Sequence, residues 1–222
     1  MSWAPTEKPE VRVRPVGAIS VRFEFSGLPY YFINLGEGEQ GAFASYHDLP
    51  KPQLSTTELA VVAPARVRDE ECFEIQRTTR DPDGNTTSES TFYVALREHE
   101  VAWLLRIRRR PGGQTRVDDA TATFPRHLEV GLAFGHRRVR GVVDVLINDK
   151  PWRCIEVESV GSGDPHLTRL YIASDGRQVY NRRFLRADAP TPYAIPHDSE
   201  RLPYQGAEYV PYYEDFARFV LS

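Results

Sequence analysis

Cys72-Phe73-Glu74-Ile75-Gln76, followed 21 residues after its cysteine by Tyr93-Val94-Ala95, returns as Cys154-Ile155-Glu156-Val157-Glu158, followed 17 residues after its cysteine by Tyr171-Ile172-Ala173. In each copy a short polar turn, Arg97-Glu98-His99-Glu100 or Ser174-Asp175-Gly176-Arg177, leads into a third stretch rich in large apolar residues and arginine. Alternation with a period of two is the mark of a half-buried strand. Each copy therefore reads as a three-stranded antiparallel meander, repeat 1 over about 67–110 and repeat 2 over about 149–186.

The surrounding chain extends the same reading. Ile19, Val21, Phe23 and Phe25 alternate with Ser20, Arg22 and Glu24, which predicts a strand over Ala18–Phe25. Further strands are expected over Tyr30–Leu35, Ala42–Tyr46, Leu59–Ala63, Thr115–Phe124 and Val139–Asn148, with loops at residues 47–56 and at Asp81-Pro82-Asp83-Gly84. Asp175-Gly176 is expected to form a two-residue type I′ hairpin turn, and Asn148-Asp149 another turn. Residues 1–10 read as a loose arm, and residues 187–211, with five prolines, as an irregular wrapping segment. Tyr213, Phe216, Phe219 and Val220 recur at spacings of three and four, which predicts a short amphipathic helix over 212–221. The expected fold is a single, mainly all-β domain over 1–222: an antiparallel curved sheet or open half-barrel of about ten strands with a C-terminal helix. In layout alone it resembles the half-barrel carriers of lipophilic molecules in the bacterial envelope, with no motif matched residue by residue.

Alternation also sorts the side chains by face. Phe73, Ile75, Phe92, Val94 and Leu96 share one face of repeat 1, and Ile155, Val157, Leu170 and Ile172 the equivalent face of repeat 2; these rows read as core. The opposite face carries Cys72, Glu74, Tyr93 and Arg106 in repeat 1, and Trp152, Cys154, Glu156, Glu158, Tyr171 and Arg182 in repeat 2. Two readings of that face compete. Glu–Arg pairs on a solvated sheet contribute roughly 0.2–1 kcal/mol each and need no function. Alternatively, the face lines the concave side of a curved sheet, and its aromatic and polar groups converge on a small ligand.

Composition narrows the function classes. Net charge is −3, which gives no electrostatic case for nucleic-acid binding. Of the 28 basic residues only Lys8, Lys51 and Lys150 are lysine, a bias that fits either a GC-rich genome or a preference for planar, bidentate anion partners. No apolar run approaches the roughly 20 residues that span a bilayer, and the N-terminus has no signal-like stretch. A cytoplasmic setting is therefore expected, with Cys72 and Cys154 as buried thiols or, since they sit at equivalent places, as a bridged pair.

The sequence contains no phosphate loop and no G-x-G-x-x-G; its six histidines are dispersed, and neither a metal nor a cofactor is implied. The leading expectation is a non-catalytic domain binding a small apolar or amphipathic ligand in a curved-sheet cavity, at Trp152, Glu156, Glu158, Tyr171 and Arg182 with Glu74, Tyr93 and Arg106. The alternatives are an assembly module, in which a sheet edge or the Tyr-rich tail mediates homo-oligomerisation, and an enzyme using Glu156 or Glu158 as general acid or base.

Overall fold

The computed structural model describes residues 3–17, 21–25, 38–110, 112–119, 122–160, 165–191 and 195–222. The strand expected at Tyr30–Leu35 and the loop at Gly161-Ser162-Gly163 lie outside the described residues. The strands are β1 (Val11–Pro15), β2 (Arg22–Glu24), β3 (Gln40–His47), β4 (Gln53–Val67), β5 (Glu70–Arg80), β6 (Thr86–Leu96), β7 (Glu100–Arg109), β8 (Thr115–Asp118) and β9 (Thr123–Pro125). They continue with β10 (His127–Glu129), β11 (Ala133–Phe134), β12 (Arg137–Ile147), β13 (Lys150–Val160), β14 (His166–Ala173), β15 (Gln178–Arg186), β16 (Leu202–Tyr204) and β17 (Ala207–Ala217). A single turn of helix, α1 (Arg218–Leu221), follows.

Fifteen of these strands form one antiparallel sheet, with the order β1-β12-β13-β14-β15-β17-β3-β4-β5-β6-β7-β8 along its main path. The sheet does not close into a barrel. Both meanders are present, and the duplication runs deeper than the sequence pattern. It includes a fourth strand in each copy, since β4-β5-β6-β7 and β12-β13-β14-β15 are both continuous antiparallel runs. Glu74 pairs with Tyr93 and Ile75 with Phe92, as Glu156 pairs with Tyr171 and Val157 with Leu170. A register break separates Val61 from Ala63 in β4, and the equivalent break separates Val139 from Gly141 in β12. A second pair of breaks follows Tyr93 and Tyr171. The first hairpin of each copy turns on two residues in the left-handed region, Arg68-Asp69 and Asn148-Asp149. A tight turn of that hand matches the twist of the strands that it joins.

The apolar rows of the two repeats meet. Ile75, Phe92 and Val94 belong to the same buried cluster as Ile155, Val157, Leu170 and Ile172, together with Leu59, Phe43 and the Phe23, Phe25 and Leu128 side chains of the small β2–β10 ribbon and its flank. The apolar rows therefore belong to one core and form the inner face of the sheet. The Cys/Glu/Tyr face lies on the other side.

Three local expectations are also corrected. Residues 212–217 are not helical; they complete β17, which runs between β15 and β3. This strand is buried on both faces, with Ala217 in the inner cluster and Phe216 in an outer one, so its apolar residues fall at helix-like spacings. Pro211, which has no N–H to donate, sits at a register break against β15. Residues 187–211 are less irregular than expected, since β16 and the start of β17 form a hairpin there. The turn after β14 is wider than two residues: Ala173 N–H donates to the Arg177 carbonyl, and only Gly176, not Asp175, has a positive φ.

The two cysteines are free and lie in separate clusters, Cys72 with Ala95 and Ala102, and Cys154 with Tyr171 and Val143. No helix among the described residues is long and apolar enough to cross a membrane. Since Ile75 and Ile155 are fully buried in the shared cluster, Ile75→Ala and Ile155→Ala should each cost about 3 kcal/mol. Urea unfolding followed by circular dichroism should show a single transition for both variants; two separate transitions would mean that the repeats do not share a core.

Candidate functional site

Two rows of side chains cross the Cys/Glu/Tyr face of repeat 2. Glu156, Tyr171, Tyr180, Phe216 and Ala44 are consecutive partners from β13 through β14, β15 and β17 to β3. Beside them run Glu158, Arg169, Arg182, Glu214 and Tyr46. The first row is largely aromatic, with the Tyr171 and Tyr180 rings stacked at 5.2 Å. The second row places two arginines between two glutamates, so every charge has an opposite neighbour.

This face is covered. The N-terminal arm crosses it, with Trp3 and Ala4 packed into the cluster of Tyr46, Tyr180 and Phe216. The Tyr46 hydroxyl donates to the Pro5 carbonyl at 2.7 Å, and Lys8 Nζ lies 3.3 Å from Asp48 and 3.6 Å from Glu214. The chain then pairs as β1 against β12, Val11 opposite Ile147 and Val13 opposite Val145. Between arm and sheet lies a groove of about 560 Å³. Lys8, Pro9, Val11, Val13 and Pro15 form one wall; Val143, Tyr171, Tyr180 and Phe184 with Glu156, Arg169, Arg182, Glu200 and Glu214 form the other.

The groove is electrostatically closed. Arg169 Nε lies 3.6 Å from Glu156 and 3.3 Å from Glu158, while Arg182 reaches Glu214 at 3.1 Å and Glu200 at 3.2 Å. Glu158 is further held by the Tyr204 hydroxyl and by Arg140 at 3.8 Å. The Tyr171 hydroxyl donates to Glu156 at 3.4 Å. Burial pushes the Tyr171 hydroxyl well above its ordinary range, with nearby Glu156 adding to the effect, and burial does the same to Tyr180. Both phenols are neutral donors at physiological pH. Burial also raises the carboxyl of Glu156, against the pull of Arg169.

The structure divides the residues expected from sequence. Glu156, Tyr171 and Arg182 line the groove together. Glu158 sits at its end beside Tyr204, and Trp152 packs edge-on against Phe219 at 5.5 Å, away from the polar row. Glu74 and Tyr93 repeat the Glu156–Tyr171 contact at 3.5 Å on the equivalent face of repeat 1. Arg106 is not with them. The register break after Tyr93 places Leu105 opposite Tyr93 and turns Arg106 to the inner face, where it stacks on the Phe92 ring at 5.0 Å.

Arg169, Tyr180, Glu214 and the arm complete the groove without having been singled out from sequence. Arg169 and Tyr180 were accessible to reasoning, each two residues from an expected site residue on its own strand. Glu214 was hidden by the helix-like spacing of β17. A larger depression of about 820 Å³ lies between the ends of β3–β5 and α1, lined in part by Glu58, Leu59, Arg177, Arg218 and Phe219, and holds none of the expected residues. Among the described residues no group of three or more His, Cys, Asp or Glu side chains could hold a metal ion.

No family profile matches the chain, and no curated protein matches it in sequence. Among solved structures it is similar to a candidate lipoprotein from Parabacteroides distasonis, with a TM-score of 0.45 and 10% sequence identity over 87% of this chain and 99% of that one. A likeness of that degree carries no weight for function.

Glu156 yields a pH prediction. Its carboxyl holds a proton to higher pH in the folded protein than in the unfolded chain, so protonation favours folding. This contribution is fully present below the ordinary carboxylate range and is lost as pH rises through the raised value. Glu156→Gln keeps a neutral side chain throughout, so its stability should gain on the wild type between about pH 4 and about pH 7. Chemical denaturation across that range checks the sign; a variant that loses ground as pH rises would show that the ionised carboxylate stabilises the fold through Arg169.

Proposed function

We propose that this protein is a non-catalytic binding domain that holds a small amphipathic ligand in the groove between its N-terminal arm and the Cys/Glu/Tyr face of repeat 2. The groove itself carries the reading. Its volume of about 560 Å³ falls within the range of roughly 300–1,000 Å³ typical of small-molecule sites. Its walls combine an apolar surface (Val11, Val13, Val143, Tyr171, Tyr180 and Phe184) with a few fixed polar groups. An apolar body would lie along the valines and aromatic rings, and a polar end would face Glu156 and the Tyr171 hydroxyl. Most of the polar groups are held in ion pairs: Glu158 is committed to Tyr204 and Arg169, and Arg182 to Glu200 and Glu214. That supports recognition over catalysis.

Assembly through a sheet edge has less support. The main path of the sheet ends at β1 and β8, both short and arginine-bearing, and β1 finishes on Pro15. Such features blunt an edge against further pairing. A reducing, cytoplasmic setting is part of the same proposal and is supported by the two unbridged thiols buried in separate clusters. Recovery of the native protein in the membrane pellet on cell fractionation would overturn that setting.

Native mass spectrometry of freshly purified protein is expected to reveal a bound small molecule, or 1-anilinonaphthalene-8-sulfonate to bind with enhanced fluorescence. Val13→Trp, which fills the groove from its arm side, should reduce probe binding about tenfold or more. Wild-type protein that carries nothing, together with equal probe binding by Val13→Trp, would sink the proposal.

A further inference from the structure

The inner face of repeat 1 carries a charge imbalance that the groove does not. Arg77, Ser90, Arg108 and Arg116 are consecutive cross-strand partners over β5, β6, β7 and β8. Arg106 lies in the adjacent row, opposite Phe92 on one side and Asp118 on the other. Four guanidinium groups thus share a patch with one carboxylate. Asp118 is already divided, accepting from Arg108 Nε at 2.8 Å and from Arg116 Nε at 2.6 Å. Arg77 and Arg106 make no ion pair among the described residues, and Arg106 Nε is buried with no hydrogen-bond partner.

Like charges placed directly opposite one another destabilise a sheet, and Arg108 and Arg116 are such a pair. Burial lowers the affinity of Arg106 for its own proton, and the charges of Arg108 and Arg77 lower it further. On the Cys/Glu/Tyr face of repeat 2, by contrast, Arg140, Arg169 and Arg182 all have glutamate partners.

We propose that Arg77, Arg106 and Arg108, around the Ser90 hydroxyl, form a binding site for a small, soluble diphosphate-type anion. Arg77 and Arg108 lie two strands apart, about 10 Å between backbones, so both long side chains can fork onto one phosphate group seated over the small, buried Ser90. Arg106 and Arg116 flank the position of a second phosphate. Guanidinium groups bind phosphate oxygens through paired, charge-assisted hydrogen bonds. Ser90 at the centre of the patch is buried, so the phosphate seat is recessed below the arginine side chains, which favours a free anion over a lipid headgroup.

The test is thermal denaturation and calorimetric titration of the whole chain with pyrophosphate, against sodium chloride at matched ionic strength. Pyrophosphate should raise the melting temperature of the wild type beyond the salt control. Arg77→Gln should weaken binding about tenfold, Arg77→Lys should weaken it less, and ligand-free Arg77→Gln should melt no lower than the wild type, because it relieves repulsion. Ser90→Asp places a carboxylate among the arginines; it should raise the ligand-free melting temperature and abolish the response to pyrophosphate. A wild type that responds to pyrophosphate no more than to chloride, or an Arg77→Gln variant that binds as the wild type does, overturns the site. Flotation of the wild type with phosphatidic-acid vesicles, without any response to pyrophosphate, overturns it in favour of a membrane headgroup.

Discussion

Ile75, Phe92 and Val94 of one repeat pack into the same cluster as Ile155, Val157 and Leu170 of the other, so one core holds both repeats. The register breaks fall at equivalent places in the two copies, where a bulge locally increases the twist of the sheet. Burying these rows leaves the opposite face of the sheet, with its own apolar and aromatic side chains, still to be covered. In repeat 2 the arm covers it, with Trp3 and Ala4 over Tyr180 and Phe216. In repeat 1, among the described residues, a small cluster around Cys72, Ala95 and Ala102 forms. The two copies therefore share a scaffold but differ in what lies on it.

Alternation identified the strands of both meanders and which rows face the core, because half-buried strands leave a period of two in the sequence. It failed where that period is broken. The extra residue in β7, Leu104, turns Arg106 to the opposite face, and nothing in the run of large apolar residues and arginines marks the position of the break. Two-sided burial gave β17 a helical spacing. The turn at Arg68-Asp69 lacks the glycine or asparagine that usually announces a left-handed pair. The groove was half legible: Glu156, Tyr171 and Arg182 lie on adjacent strands of one meander, whereas the arm that closes it pairs with a strand more than a hundred residues away, and such distant contacts leave no local pattern.

Arginine serves two physical roles in this chain. On the Cys/Glu/Tyr face of repeat 2 it links carboxylates and lies over aromatic rings, as Arg182 does over Phe184 at 4.6 Å while pairing with Glu214. A planar guanidinium can do both at once, whereas the compact ammonium of lysine cannot. On the inner face of repeat 1 the same side chain accumulates without enough carboxylates to match. The scarcity of lysine thus has a structural counterpart in stacked and forked contacts, whatever the base composition of the gene.

β17 lies between β15 and β3 and joins the two halves of the sheet, although every other strand among the described residues precedes it in the chain. During synthesis both halves therefore emerge, and can form their local hairpins, while β15 and β3 each still present an unpaired edge. The arm is made well before Tyr180 and Phe216, over which it packs. A nascent chain released before β17 is made would retain two long sheet edges with no partner, the kind of surface that promotes association between copies. The order in which the strands are made thus leaves this fold exposed until its last strand arrives.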